Sequence, residues 1–487
     1  MQKAGKVVVA VFDGLRPDMV TPKLMPNLHT YATENAWFRE ARSVFPSMTR
    51  VATSSISTGS MPVRHGIVGN AFYYPDVTRE FVLDTSLAGD VALAETNLAG
   101  PFITAATFAD ALAAHGKSFA VVHSGSAGSA YAINPNVVAN GHWSFSMLGE
   151  AHTRTPAAVR EAVERFGPLP PRNLPRFEEI DYATRVFTEL VLAEKNPDVA
   201  LIWFNEPDTS FHYKFLGSEE TSRVIAHADA AFGRILDAIA RRPDRADIAL
   251  IVASDHGQIS SSGEIDLGLL LTEAGHPAKK ASRRELSGAA LAITGGNMGE
   301  IRVLDDDLDR RDAVARWLME QDFIGMVFTS SNDPVLGAVP GTFSTELVGL
   351  NHARGPELVY VLRSGVENDV HGLPGLGLIT GGVPVGGGMH GGLNRHELNT
   401  VMILGGKAQA GPAVLNQAAG IIDIGPTILD LMGIEKSVGM QGTSLLTATE
   451  ITNETRQYIV EHGEFCQELT ITHRDGTMFF QHGQRKA

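Results

Sequence analysis

Short apolar runs of strand length alternate along this chain with segments of helical spacing. Val7–Phe12 (VVVAVF) is uninterrupted apolar sequence and predicts a buried first strand. Thr107–His115 has helical spacing, Gly116 is its stop, and Ser118–His123 (SFAVVH) returns to a strand pattern. Asp181–Leu192 predicts a helix and Asp198–Phe204 (DVALIWF) a buried strand. Ser222–Ala240 is a long helical pattern, Ile248–Ala253 the next strand, and Thr400–Leu404 another. This rhythm predicts an α/β fold, with a mostly parallel central sheet and helices on both faces.

The rhythm breaks between Gln258 and Val385. That stretch mixes a short helix (Asp312–Gln321), strands such as Glu300–Val303 and Glu357–Leu362, and loops rich in Gly and Pro. It predicts an inserted α+β cap subdomain at 258–385, with the core divided between 1–257 and 386–450. The glycine-rich run Gly372–His390 would by itself read as a surface loop. It ends in a histidine, however, and glycines let backbone come close to a ligand. Ile421–Ile434 predicts a helix with a cap at Asp423 and Pro426 near its start. The remainder, 451–487, reads as a C-terminal extension in which Glu468–Gln481 alternates around Asp475-Gly476, a hairpin signal.

Composition narrows the partners. With 487 residues, 44% hydrophobic and 20% charged, the chain can bury a large core and more than one domain. A net charge of −15 argues against a nucleic-acid duplex or an anionic membrane, since both need a basic face. A small anionic substrate remains compatible if bound dications reverse the local field. The single cysteine, Cys466, cannot form an internal disulfide, and no basic cluster marks it as a catalytic thiol. MQKAGK before Val7 superficially resembles a leader, but the apolar run is short and no small-residue cleavage site follows. No uncharged apolar stretch approaches the ~20 residues that span a bilayer. The expectation is a cytoplasmic protein without a membrane partner; oligomeric state stays open.

Candidate chemistry lies where apolar runs stop. Val7–Phe12 runs into Asp13, and Ala249–Ala253 runs through Ser254 into Asp255-His256. DVALIWF ends just before EPDTSFH, where Asp208 and His212 are four apart and share a face if helical. His390 closes the glycine run. Taken singly, Asp13 is also a turn residue, Asp208/His212 a solvated helix start and Asp255-His256 a loop entry. Their joint placement at the ends of strand-like runs singles them out, because open α/β sheets hold ligands at that edge. Three Asp and three His suffice for two mixed oxygen/nitrogen sites, suited to Zn²⁺, with Mn²⁺ or Fe as alternatives. The segment Phe45–Thr58 is rich in hydroxyls, and Thr49 precedes a run, Val51–Ser57, that can form a helix. A hydroxyl at a helix N-terminus can sit on a metal and attack; it can equally be an N-cap. Thr53, Ser54 and Ser55 are expected to face solvent or backbone.

VFDG at Asp13, Phe45–Asn70 (FPSMTRVATSSISTGSMPVRHGIVGN), EPDTSFH, SDHG and GMHGG together resemble the alkaline phosphatase superfamily, and most of all its nucleotide pyrophosphatase/phosphodiesterase branch. DIGPTILDLMGI and Met440–Leu446 resemble the superfamily's C-terminal segment. The resemblance implies an alkaline-phosphatase-like core and hydrolysis of phosphate esters through a phosphothreonine intermediate. It implies Thr49 as nucleophile, bound with Asp13, Asp255 and His256 to one metal, and Asp208, His212 and His390 on a second. It implies that Asn70 donates to a non-bridging phosphate oxygen. His65 in the same motif is given a structural role, and His142 and His396 match no motif. One position departs. The branch carries an aromatic residue after the nucleophile, which stacks on the base; here it is Arg50, which can fork onto a carboxylate or second phosphate or form a surface salt bridge. The P-S-M-T wording is also similar to phosphonoacetate hydrolases. No cysteine stands near position 49, against a formylglycine sulfatase. Three readings follow: a two-metal phosphodiesterase-type hydrolase of a small anionic ester; a phosphonate or phosphate monoester hydrolase; and a metal-binding protein without turnover.

Overall fold

Strand β1 (Lys6–Phe12) shows in one element why the chain folds as it does. Its odd positions Val7, Val9 and Val11 join one hydrophobic core, and its even positions Val8, Ala10 and Phe12 join another. A strand apolar on both faces must be covered on both faces, and each such side chain contributes roughly 1.5–3 kcal/mol on burial. The computed structural model describes residues 3–280, 285–408, 412–446 and 453–486.

The central sheet has eight strands: β1, β2 (Ala36–Phe38), β3 (Phe119–His123), β4 (Trp143–Ser146), β5 (Val199–Phe204), β6 (Ile248–Ala253), β7 (Met402–Gly406) and β8 (Ala413–Leu415), in the order β8-β2-β7-β6-β1-β5-β3-β4. β1 lies between β5 and β6, parallel to both. The strand expected at Thr400–Leu404 is β7, and it runs antiparallel to β6 and to β2. Helix α1 (Thr49–Thr58) covers one face through Val51, Ala52 and Ile56. Helix α3 (Glu219–Ala240), which follows α2 (Asp208–Lys214), covers the other through Ile225, Ala228 and Phe232.

The stretch that breaks the rhythm forms a six-stranded sheet between Ala278 and Leu362. One face packs on the helix Leu308–Met319 through Ile301, Val303, Val327 and Leu358. The other face, with Met298, Met326, Phe328, Val359 and Val361, shares a core with α1. The glycine run is not a free loop. Pro374–Ile379 pairs in parallel with Ile259–Glu264, and Gly388–Met389 pairs antiparallel with Ile259 and Ser260, so position 390 is delivered by backbone pairing.

Three local expectations change. The helix expected at Asp181–Leu192 begins at Phe177 and widens into π turns over Val186–Lys195. Asp423 stands at the N-cap of the helix Ile424–Leu431 without capping it; its carboxylate is held instead by Arg474 at 2.6 Å and by the amides of Gly420 and Thr443. The C-terminal residues form a three-stranded antiparallel sheet, Asn453–His462, Phe465–Arg474 and Thr477–Arg485, with Asp475 and Gly476 both at positive φ in the second turn. The expected boundary at 450/451 lies outside the described residues. Among the described residues no helix is long and apolar enough to cross a membrane.

Candidate active site

Three adjacent parallel strands end at one place. Asp13 follows β1, Asp208 opens α2 a short turn after β5, and Asp255-His256 follow β6. The β1 turn is tight because Gly14 takes φ +70°, and a Cβ there would meet Gln258 Nε2 at 2.8 Å and Asp208 Cβ at 3.1 Å. Gly14 thus lets the ends of β1 and β5 approach. His212 stands one turn after Asp208 on α2, and His390 arrives on the paired segment after Met389.

The three histidines share one arrangement. His212 Nδ1 bonds the carbonyl of Gly388 at 2.6 Å, His390 Nδ1 that of Ser47 at 2.8 Å, and His256 Nδ1 that of Gly257 at 3.0 Å. A carbonyl only accepts, so each Nδ1 carries a proton and each ring turns its Nε2 toward the carboxylates. All three Nε2 atoms face carboxylates. His212 Nε2 lies 3.3 Å and His390 Nε2 3.5 Å from Asp208 Oδ1. His256 Nε2 lies 3.2 Å from Asp255 Oδ2 and 3.4 Å from Asp13 Oδ1. With neutral rings these are lone pairs facing lone pairs, which a bound cation bridges; a protonated Nε2 donates to the carboxylate instead. Two ligands at ~2.0 Å on a tetrahedral ion sit about 3.3 Å apart, which these separations match. Asp13 Oδ1 and Asp255 Oδ2 are buried without a hydrogen-bond partner. The donor set therefore fits divalent cations.

Two groups of ligand atoms lie within 4.8 Å of one another: Asp208, His212 and His390, and Asp13, Asp208 and His256. Asp208 thus reaches both sets, where the sequence reading places it in one; Asp255 joins the second through His256. Electrostatics agree. Burial, then Asp255 and Asp208, push the Asp13 carboxyl well above its ordinary range, and burial raises Asp255. At Asp208 burial is outweighed by the charged forms of His212, His390 and His256, which hold the carboxyl low, and Asp208 in turn raises His212 against its burial. Burial, with His256 next to it, keeps His390 well below the ordinary imidazole range. Three carboxylates this close and this dry are costly without a compensating charge.

Thr49 is the first residue of α1, and Met48 is the N-cap, so the N-cap reading of Thr49 does not hold. Its Oγ1 lies instead 3.2 Å from His256 Nε2, at the edge of the ligand set. Asn70 Oδ1 accepts from the backbone N–H of Arg50 at 3.0 Å, which anchors the amide beside the helix start. Its Nδ2 makes no hydrogen bond among the described residues. Arg50 is not a surface salt-bridge residue: it is partly buried and forms no ion pair among the described residues, and its Nε is buried without a partner. Thr53, Ser54 and Ser55 are buried and do not meet solvent; Thr53 and Ser54 bond the carbonyls of Thr49 and Arg50, and Ser55 bonds His65 Nε2. His65, His142 and His396 lie outside the ligand groups; the latter two are held by Asn134 and the Lys117 carbonyl, and by Arg16.

Two residues of the site escaped the sequence reading. Trp203, on β5, donates its Nε1–H to Asp13 Oδ2 at 3.0 Å, and Gln258 donates to Asp208 Oδ1 at 2.5 Å. Gln258 directly follows SDHG and was a visible signal; Trp203 is the one polar-tipped side chain in an apolar strand, which does not show where its N–H points.

The family profile described as Type I phosphodiesterase / nucleotide pyrophosphatase matches residues 7–335, more than half of the chain. The chain belongs to this family. Its similarity to curated relatives is local. Bis(5'-adenosyl)-triphosphatase enpp4 of Xenopus laevis is 35% identical over 81 residues, 17% of this chain and 18% of that protein. Venom phosphodiesterase 2 of Crotalus adamanteus is 24% identical over 253 residues, 52% of this chain and 26% of the venom protein. The matches thus span only about a quarter or less of these relatives' lengths. Among solved structures, murine ectonucleotide pyrophosphatase / phosphodiesterase 5, in an inactive form with AMP, superposes with a TM-score of 0.57 at 17% identity, over 89% of this chain and 96% of that one. The family's α/β fold, with its large, mostly parallel sheet, is that of this chain.

Proposed function

We propose that this chain is a two-metal hydrolase of phosphate diesters that acts through a phosphothreonine at Thr49. The observation that carries the reading is the convergence of three histidine Nε2 atoms on three buried carboxylates beside the Thr49 hydroxyl. Asp13, Asp255 and His256 would hold one ion together with Thr49 Oγ1, and Asp208, His212 and His390 the other, with zinc preferred by the donor set and manganese or iron as alternatives. When bound, such a pair lowers the pKa of an attached hydroxyl and neutralises charge on both the attacking and leaving oxygens of an in-line displacement. Thr49 Oγ1 attacks phosphorus, the alcohol leaves from the opposite side, and water then cleaves the phosphothreonine by the reverse geometry. Asn70, fixed through its Oδ1, has its Nδ2 protons free for a non-bridging phosphate oxygen. Family membership and the named activities of the relatives, a triphosphatase and venom phosphodiesterases, support ester cleavage of this class.

A second reading, a phosphonate or monoester hydrolase, is favoured by one observation: Arg50 stands next to the nucleophile with its Nε buried and without a hydrogen-bond partner. Rates on bis-p-nitrophenyl phosphate, p-nitrophenyl phosphate and phosphonoacetate separate the two. The diesterase reading expects the first to be fastest and Thr49→Ala to lose at least ~10³-fold in kcat, the scale on which removing a nucleophile acts. Full activity in Thr49→Ala would overturn the covalent step. Phosphonoacetate as the fastest substrate would favour the second reading.

A further inference from the structure

We infer that the active-site cleft holds a subsite for a second negative charge on the substrate, built from Arg50, Arg172 and Arg176. The inference rests on the hydrolytic reading for the position of the first, phosphoryl charge. The cleft has a volume of about 840 Å³, and its lining includes Asp13, Thr49, Asp208 and His212 together with all three arginines.

Direct ion pairs to these arginines are few, although Arg50 also feels the charges of Asp84, Asp13, Asp208 and Asp255. Arg172 Nε lies 3.4 Å from Glu179 Oε1, and Arg176 Nη1 lies 3.0 and 3.2 Å from the two oxygens of the same carboxylate. Two guanidinium groups thus share one acid. Arg50 forms no ion pair among the described residues. The Nε atoms of Arg50 and Arg176 are buried and make no hydrogen bond. A guanidinium carries five N–H donors in a planar fork, and leaving them dry and unpaired costs the protein their hydration. A ligand carboxylate or phosphate restores the missing bonds two at a time.

The placement is rigid. Arg50 follows the nucleophile on α1, and its own amide holds Asn70. Arg176 is tied to the ligand helix: its backbone N–H donates to Glu206 Oε1 at 3.3 Å, and the other oxygen of Glu206 accepts from Ser210 on α2 at 3.0 Å. Arg50 and Arg176 are therefore tied at the backbone to elements that carry the candidate site residues. A neutral base or acyl group would leave these donors unsatisfied. The fitting ligand pairs a phosphoryl or phosphonyl group with a second acidic group, either carboxylate or phosphate.

The test measures binding apart from turnover. Full-length Thr49→Ala protein loaded with Zn²⁺ is titrated calorimetrically with methylphosphonate, with phosphonoacetate, 3-phosphonopropionate and 4-phosphonobutyrate, and with methylenediphosphonate. The expected result is that at least one difunctional anion binds ~10-fold or more tighter than methylphosphonate, the gain of one charge-assisted contact. The carboxylate and diphosphonate arms tell which acidic group the arginines take. Adding Arg176→Gln or Arg50→Gln should cut that advantage at least ~5-fold, and Arg176→Lys should restore part of it. The same ratios measured as inhibition constants on the wild-type protein give a second readout. Equal binding of all five anions, or an advantage that survives both glutamine variants, would overturn the inference. If the wild-type protein hydrolyses no ester yet the advantage is present, the hydrolytic reading falls and the subsite stands. Hydrolysis without the advantage removes the subsite and leaves the hydrolytic reading in place.

Discussion

Asp13 shows how much of this site is decided around its ligands rather than by them. One of its oxygens receives the Trp203 indole N–H at 3.0 Å, and the other is buried without a partner. The indole therefore selects which oxygen is free to bind a cation. Trp203 is itself fixed by stacking on His123, with ring centroids 5.3 Å apart and planes 14° apart. Supporting bonds of this kind are typically worth ~10–100-fold in metal affinity. Trp203→Phe keeps the apolar body and removes the donor. It is expected to weaken metal binding by that factor in a chelator competition, with the fold intact by circular dichroism; unchanged affinity would show that Asp13 needs no such bond. At this scale the chain was legible in its ligand candidates, since acids and imidazoles stood at the ends of apolar runs. It was not legible in Trp203, because an indole in a strand gives no sign of whether its N–H points to a neighbouring strand's end.

Elements bring the residues together through strand order. β5, β1 and β6 are far apart in sequence and adjacent in the sheet, so their C-terminal ends deliver Asp208, Asp13 and Asp255-His256 to one edge. Apolar runs predicted the strands, and the βαβ rhythm predicted that most would be parallel. Two features were beyond such reasoning. β7 is antiparallel to β6, and periodicity carries no direction. The glycine run became paired backbone because Ile259–Glu264, remote in sequence, offered it a partner. The approach of β1 to α2 is a demanding point, since Gly14 at φ +70° leaves little room for a side chain. Gly14→Ala carries about 1–2 kcal/mol for the left-handed backbone, before any displacement of Gln258 and Asp208. It is expected to lower both the denaturant midpoint and kcat/KM. Unchanged activity at reduced stability would mean that the strand ends tolerate separation.

At the scale of the whole molecule, two later segments of the chain join the core on one face of the central sheet. The stretch between Gln258 and Val385 packs one face of its sheet into the core that also holds α1, and Leu469, Ile471, Phe479 and Phe480 of the C-terminal sheet join that core as well. The C-terminal hairpin signal was readable at Asp475-Gly476; the third strand, Asn453–His462, was not, because most of its residues are exposed and polar and bury no periodic face. A fold that gathers three carboxylates and three imidazoles at one sheet edge offers two sets of ligands for cations. Anomalous diffraction from crystals of the zinc-loaded protein, collected across the zinc edge, tests this most directly. The account predicts two peaks ~4 Å apart, one among Asp13, Thr49, Asp255 and His256 and one among Asp208, His212 and His390. A fully active crystal with no peak, or with its only peaks elsewhere, would contradict it.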